Sequence, residues 1–350
     1  MGTRTSQPMT AVSEPILGGP HDRTQYGQHR TGRHGYLVIA ADETFDGTWP
    51  YHAYFNEASG FRQHYVDEGP ERPDQTIVML HGEPTWGYEW RHLIGPLSRH
   101  HRVVVPDHMG FGKSETPQDR TYDASEHILN LESLLVDTLD LTDITLVVRD
   151  WGGPIGAGFA LRNPSRISRI FAVNTVLPLA EGIDDLMMAN GAESRWFQWA
   201  HSALVDGSFE QILGNAGHTI AQLMIDLQHV ARPEIATPTW ISAYSSPFPT
   251  PAESRGVIAF PRQVLKGPQG TPPGPPPMEA VAALRGLPTM LAVGMRDTAL
   301  LPKYVIPAFK LSYPDAPVVE IPGAGHFPTE DAPETLLALL ELFLQTSART

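Results

Sequence analysis

Ile144-Thr-Leu-Val-Val-Arg-Asp150-Trp-Gly-Gly153 reads as a short apolar strand, Ile144 to Val148, that runs through a sharp turn into a helical segment. Short apolar runs of the same kind, bounded by turn residues, recur on either side: Phe61 to Val66, Thr76 to Leu80, Arg102 to Val105 and Ile170 to Val173. Helical stretches lie between them. In Ala124 to Leu139 the apolar positions Ile128, Leu131, Leu134 and Leu135 recur at helical spacing. Strands alternating with helices imply an α/β fold, a mostly parallel central sheet with helices on both faces.

That rhythm stops near Leu179 and returns at Pro288, where Thr289 to Val293 and Val318 to Ile321 read as strands and Glu334 to Leu344 as a closing helix. The intervening stretch is expected to be an insertion, a helical cap over residues 180–262, rich in aromatic and Met-bearing segments. The core is then assembled from residues 36–179 and 263–350. Gly267 to Pro277 is dense in proline and glycine and is expected to be loop, since proline breaks both helices and sheet ladders. Residues 1–35 lack apolar periodicity and are expected to form a disordered tail, unable to offset the entropy of being ordered.

Composition narrows the function. The chain has 25 basic and 39 acidic residues, a formal charge of −14, and such a surface repels phosphate backbones. Nucleic-acid binding is therefore not expected. There is no cysteine, which removes disulfides and thiolate metal sites and fits a reducing cytoplasm. No apolar run approaches the roughly 20 residues needed to span a bilayer, so no membrane partner is expected either.

The strand, turn and helix around Asp150 have the context of a nucleophile elbow, with Asp150 in the nucleophile's place. An aspartate in front of a helix is also a common N-cap, and the turn alone does not separate the two roles. Two later positions do. Asp297 follows the strand ending near Val293, and His326, in Gly323-Ala-Gly-His326, follows the next one. The chain order is nucleophile, acid, base. A histidine that takes a proton from water needs an anionic partner to fix its tautomer, and Asp297 supplies one. Leu80-His-Gly-Glu-Pro84 follows an earlier strand, where such sites draw a second oxyanion donor, so the backbone N–H groups of Glu83 and Trp151 are the oxyanion candidates. His81 is read as holding that turn. No metal ligand set and no cofactor motif appear. Gly110-Phe-Gly-Lys-Ser114 has Asp107 where a phosphate loop needs glycine.

Together, His81-Gly-Glu-Pro-Thr-Trp86, Pro106-Asp-His-Met-Gly-Phe-Gly-Lys-Ser114, Val147-Val-Arg-Asp-Trp-Gly-Gly153 and the Asp297/His326 pair resemble the haloalkane dehalogenases, members of the α/β-hydrolase superfamily. The likeness runs over roughly residues 45–345 and is closest to the subgroup with an Asp-His-Asp triad and two halide-binding tryptophans. It implies hydrolysis of a small haloalkane with water, to alcohol and halide ion, through an alkyl ester on Asp150. It also implies that Asn174, at the family's alternative acid position, cannot serve as the acid. Glu83 stands where some members carry a halide-binding asparagine, and its carboxylate is expected to repel halide if it points inward. Trp151, an indole donor beside the nucleophile, fits one half of the halide site. Trp199 is matched to the other half, and Trp196, three residues earlier, to an aromatic pocket wall.

Two other functions are weighed. An epoxide hydrolase shares the acid, base and nucleophile but needs two cap tyrosines as proton donors, and residues 180–262 contain only Tyr244. A non-catalytic binding protein on the same scaffold is the other alternative; retention of Asp150, Asp297 and His326 together argues against it.

Overall fold

The computed structural model describes residues 38–265 and 277–346. The expected disordered tail lies outside the described residues, as does all of the proline- and glycine-dense run except Pro277. Eight strands form one sheet. They are β1 (Tyr54–Asn56), β2 (Gln63–Glu68), β3 (Thr76–Leu80), β4 (Arg102–Pro106), β5 (Ile144–Arg149), β6 (Ile167–Val173), β7 (Thr289–Gly294) and β8 (Val318–Ile321). Their order across the sheet is β1-β2-β4-β3-β5-β6-β7-β8. The β1–β2 and β2–β4 pairs are antiparallel and every later pair is parallel.

The apolar runs form strands because helices cover both faces. Every residue of β5, β6 and β7 is buried. A fully buried valine, leucine or isoleucine contributes about 1.5–3 kcal/mol relative to exposure, so these central strands anchor the sheet. The helices Ala124–Glu132 and Gly152–Arg162 pack against each other beside it. Differences from the sequence reading are local. The strand expected over Phe61 to Val66 begins at Gln63, after the left-handed turn at Gly60 (φ +80°). The helix expected over Ala124 to Leu139 is regular only to Glu132 and continues as wider turns over Ser133–Thr138.

Between β6 and β7 the chain makes the helix Met278–Arg285 just before β7 and, ahead of it, the helices Ile183–Glu193, Arg195–Asp206, Phe209–Leu213, Ala216–Asp226, Pro238–Ser245 and Arg255–Leu265. The helix Arg255–Leu265 carries through residue 262, where the cap was expected to end. Among the described residues no helix is long and apolar enough to cross a membrane.

In an open parallel sheet the loops leaving the carboxyl ends of the strands converge on one edge, where ligands bind. The turns after β3, β5, β6, β7 and β8 carry Glu83, Asp150, Asn174, Asp297 and His326 respectively. Register aligns Leu80 with Val148 and Arg149 with Val173, so neighbouring turns start level with one another.

Candidate active site

Asp150 has φ +48°, a left-handed conformation that costs a non-glycine residue roughly 1–2 kcal/mol. The surroundings impose it. The Asp150 carbonyl accepts from Thr175 Oγ1 at 2.5 Å and from the Gly153 N–H at 3.0 Å, while its own N–H donates to the Asn174 carbonyl at 3.3 Å. The neighbouring glycines are required by close approach: a Cβ on Gly82 would lie 2.4 Å from Asp150 Oδ1, and one on Gly153 would lie 1.9 Å from Thr175 Oγ1. Strain held in this way at a strand end presents a side chain to the cleft.

The carboxylate so presented meets the other expected groups. Its Oδ1 accepts from the Glu83 backbone N–H at 2.8 Å, and Trp151's N–H also acts on it. Its Oδ2 stands 3.5 Å from His326 Nε2. On the far side of the ring, His326 Nδ1 bonds Asp297 Oδ2 at 2.8 Å. Burial alone would raise the Asp150 carboxyl, but His326, Arg149 and the Trp151 amide together hold it below the usual carboxylate range. Asp297 is likewise penalised by burial and held low by His326, Asn174 and the Leu300 N–H. Burial opposes protonation of His326, yet the Asp297 charge and the bonds to Asp150 and Asp297 outweigh it, and its pKa rises to about 9.

Several supporting residues had no role in the sequence reading. Asn174, set aside as an acid, donates Nδ2–H to Asp297 Oδ2 at 2.6 Å, while its Oδ1 accepts the Gly294 N–H at 2.9 Å. Asp297 Oδ1 takes the N–H groups of Ala299 and Leu300 at 2.7 and 2.9 Å. The His326 backbone is gripped from both sides. Its N–H donates to the His229 carbonyl at 2.7 Å, and its carbonyl accepts from Arg149 Nη1 at 3.1 Å. Arg149 is fully buried and paired with Glu89, Nε to Oε2 at 2.5 Å, with its guanidinium 4.1 Å above the Phe327 ring. Asp331 accepts the Gly325, Ala231 and Arg232 N–H groups, tying the histidine loop to the segment beside it. A charged residue closing an apolar run was the available signal for Arg149, because a buried guanidinium needs a partner.

His81 holds its turn through both ring nitrogens. Nε2 accepts the His108 N–H at 2.9 Å, so Nδ1 carries the proton and donates to the Gly82 carbonyl at 2.9 Å. Burial pushes it down to about 3, and it is a neutral brace. The glutamate of the same turn, Glu83, is buried, and its carboxyl is pushed well above the carboxylate range by burial and by Asp150.

The three tryptophans singled out in the sequence sit in different surroundings. Trp151 is half-buried and stacked on Phe260, ring centroids 4.5 Å apart, from the helix Arg255–Leu265. Trp196 is buried with its ring 5.6 Å from His229, which in turn lies 5.6 Å from the His326 ring. Trp199 is half-buried, packed on Trp196 at 5.1 Å and Phe209 at 6.3 Å. Tyr244, the one tyrosine of residues 180–262, is fully buried and donates its hydroxyl to Glu330 Oε1 at 2.5 Å. Among the described residues no group of three or more His, Asp or Glu side chains is arranged to hold a metal ion.

Comparison with known proteins places this geometry. A model of the alpha/beta hydrolase fold matches residues 75–333. The chain is 31% identical to haloalkane dehalogenase 2 of Mycobacterium bovis over 306 residues, 83% of this chain and 94% of the relative. It is 30% identical to a cis-3-alkyl-4-alkyloxetan-2-one decarboxylase of Xanthomonas campestris over 300 residues, 82% of this chain and 93% of the relative. The crystal structure of the haloalkane dehalogenase DatA from Agrobacterium tumefaciens superposes with a TM-score of 0.64 at 26% identity, covering 85% of this chain and 97% of the other. The chain belongs to the α/β-hydrolase fold family and, within it, to the family of the haloalkane dehalogenases.

Proposed function

We propose that this protein hydrolyses haloalkanes to alcohol and halide through a covalent ester on Asp150. The observation that carries the reading is the ionised Asp150 carboxylate at a strained strand end, with its Oδ1 on the Glu83 N–H at 2.8 Å and its Oδ2 facing His326 at 3.5 Å. A carboxylate needs no base to attack carbon. One Asp150 oxygen forms the new C–O bond as the C–X bond breaks, and halide leaves with the electron pair. Trp151 and Trp199 donate their indole N–H groups to it, and Trp196 walls the pocket. The helices between β6 and β7 act as the cap that keeps water from the departing ion.

Ester cleavage needs a neutral histidine, and His326 in the free protein is raised to about 9 and is protonated at neutral pH. Alkylation itself supplies the change. Esterified Asp150 carries no charge and its bond no longer favours the imidazolium; Asp297 still does, so the ester lowers the His326 pKa and the fraction that has lost its proton to solvent acts as the base. It then takes a proton from water as the water oxygen adds to the ester carbon. The oxyanion meets the Glu83 and Trp151 N–H groups, and collapse releases the alcohol and restores the Asp150 carboxylate.

The experiment is halide release from a panel of chloro- and bromoalkanes, run beside epoxides and β-lactones. Halide from the haloalkanes with little turnover of the others is expected. Turnover of epoxides or β-lactones without halide release would replace the reading. The epoxide route is disfavoured by Tyr244, whose hydroxyl is held by Glu330.

A further inference from the structure

Two imidazoles hang from the turn that carries the acid, and the scheme above uses one of them. His326 bonds Asp297 Oδ2 through Nδ1 at 2.8 Å. His229 reaches the next residue of the same turn, its Nδ1 3.2 Å from Thr298 Oγ1. The Thr298 hydroxyl donates its proton to the Leu227 carbonyl at 2.7 Å, so Oγ1 accepts from His229 and Nδ1 carries the ring proton. Nε2 is then a bare acceptor. The residue is 2% exposed, and among the described residues this buried nitrogen has no hydrogen-bond partner. Burial, followed by the charge on His326, pushes the ring down to about 3, so His229 is neutral at neutral pH and keeps that lone pair.

The unpaired atom lies on the side of the chemistry. The two nitrogens of an imidazole point to opposite sides of the ring, so two rings held by Nδ1 at residues 297 and 298 both turn Nε2 away from that turn. For His326 this direction leads to Asp150 Oδ2. The His229 ring stands 5.6 Å from the His326 ring, a separation held by the 2.7 Å bond from the His326 N–H to the His229 carbonyl. Gly325 permits that approach, since a Cβ there would lie 2.5 Å from the same carbonyl. One water donating both protons at about 2.8 Å each joins acceptors roughly 4.5 Å apart, which two imidazole edges at this ring separation accommodate. We propose that His229 is the second acceptor for the hydrolytic water: Nε2 holds one O–H while His326 takes the proton of the other, which turns the oxygen lone pair towards the ester carbon of Asp150. The inference rests on the ester reading above. A water held by one acceptor rotates about that bond, and a second acceptor fixes its aim. His229 gains no proton; the hydrogen it holds stays on the water oxygen and leaves as the Asp150 carboxyl ionises again.

Asparagine and glutamine separate this role from support of the fold. An asparagine amide falls near the Nδ1 position and keeps a bond to Thr298 without reaching the Nε2 position. A glutamine amide reaches the Nε2 position, offers Oε1 there and gives up Thr298. Rapid-quench kinetics with bromoalkanes read ester formation as the halide burst, whose amplitude counts folded sites, and ester cleavage as the steady rate. His229→Asn and His229→Leu should form the ester as wild type does and cleave it about tenfold or more slowly, the loss of one hydrogen bond, with alkylated protein visible by intact mass. His229→Gln should cleave it within about threefold of wild type. An asparagine variant as fast as wild type, or a glutamine variant as slow as the leucine one, overturns the proposal and leaves the histidine a support for Thr298. If wild type gives neither halide nor an adduct on Asp150 with any haloalkane, the assigned reaction fails and this inference with it; a burst followed by the wrong ranking removes this inference alone.

Discussion

Replacing Asp297 with asparagine perturbs the site in a way the hydrogen bonds define closely. Asp297 is acceptor only: Oδ1 takes Ala299 and Leu300 N–H, and Oδ2 takes Asn174 Nδ2–H and His326 Nδ1–H. An amide can keep one of these pairs. If its oxygen stays on the backbone pair, its NH₂ faces the Asn174 NH₂, which cannot turn away without losing the Gly294 N–H from its own oxygen. His326 Nδ1 would then have to accept, moving the ring proton to Nε2, the atom that must take a proton from water. If the amide is reversed, two backbone donors lose their acceptor. Either arrangement forfeits two bonds to a charged group, at about 1.5–3 kcal/mol each, so folding stability should drop by roughly 3–6 kcal/mol. Ester hydrolysis should slow by about 10⁴-fold, as expected when a catalytic histidine is held in the wrong tautomer, while alkylation, which needs no base, should survive. Rapid-quench kinetics should show one equivalent of halide followed by a near-halt, with the alkylated protein visible by intact mass. Steady turnover within tenfold of wild type would refute the assignment. Glu181, Asp184 and Asp185, the acids that follow β6, are exposed and offer no evident replacement.

His326→Gln should alkylate once and stop, and the absence of any adduct by mass spectrometry would remove the two-step scheme. Trp199→Phe should lower bromide affinity and dehalogenation rate by about 10²-fold, the effect of one leaving-group donor, whereas Trp196→Phe should alter mainly substrate preference. The opposite ranking would move the halide role to Trp196, the indole that packs on His229. Glu89→Ala leaves Arg149 charged and unpaired in the interior and should cost about 3–5 kcal/mol in urea unfolding; an unchanged midpoint would show that the pair is not needed. The raised His326 pKa means the native state binds that proton more tightly than the unfolded chain. Its stabilisation is therefore full below about 6.5 and is lost as pH climbs through about 9, a slope that His326→Gln should flatten in pH-dependent melting.

The candidate catalytic groups were legible because each follows an apolar run, and strand ends in a parallel sheet lead to one edge. Asp150, Asp297 and His326 are brought together over the distances described, and the Glu83 N–H meets the carboxylate. What sequence reading missed are residues whose role exists only in three dimensions. Asn174 was dismissed because it carries no charge, yet an uncharged donor is what orients Asp297. Arg149 was read as part of a turn, although it closes β5 as a fully buried cation. His229 belongs to no motif; it matters because the chain folds back to place its carbonyl on the His326 N–H. β1, at three residues, is too short for an alternation to declare itself. The surroundings of Glu83 were not legible for a related reason: a sequence shows the acid but not the burial and the charged neighbour that push its carboxyl upward.

The stacking of Phe260 on Trp151 bears on how such enzymes can be re-engineered. Grafting the segment between β6 and β7 from a relative is attractive because it ought to exchange substrate choice while leaving the chemistry alone. Here that segment supplies Phe260, the ring stacked on the indole next to Asp150. A transplanted segment lacking an aromatic ring at position 260 would free Trp151 to rotate, and the donor it offers would no longer point one way. On the proposed reaction selectivity and turnover are not separable parts in this chain, and a chimera should keep Phe260 with the core.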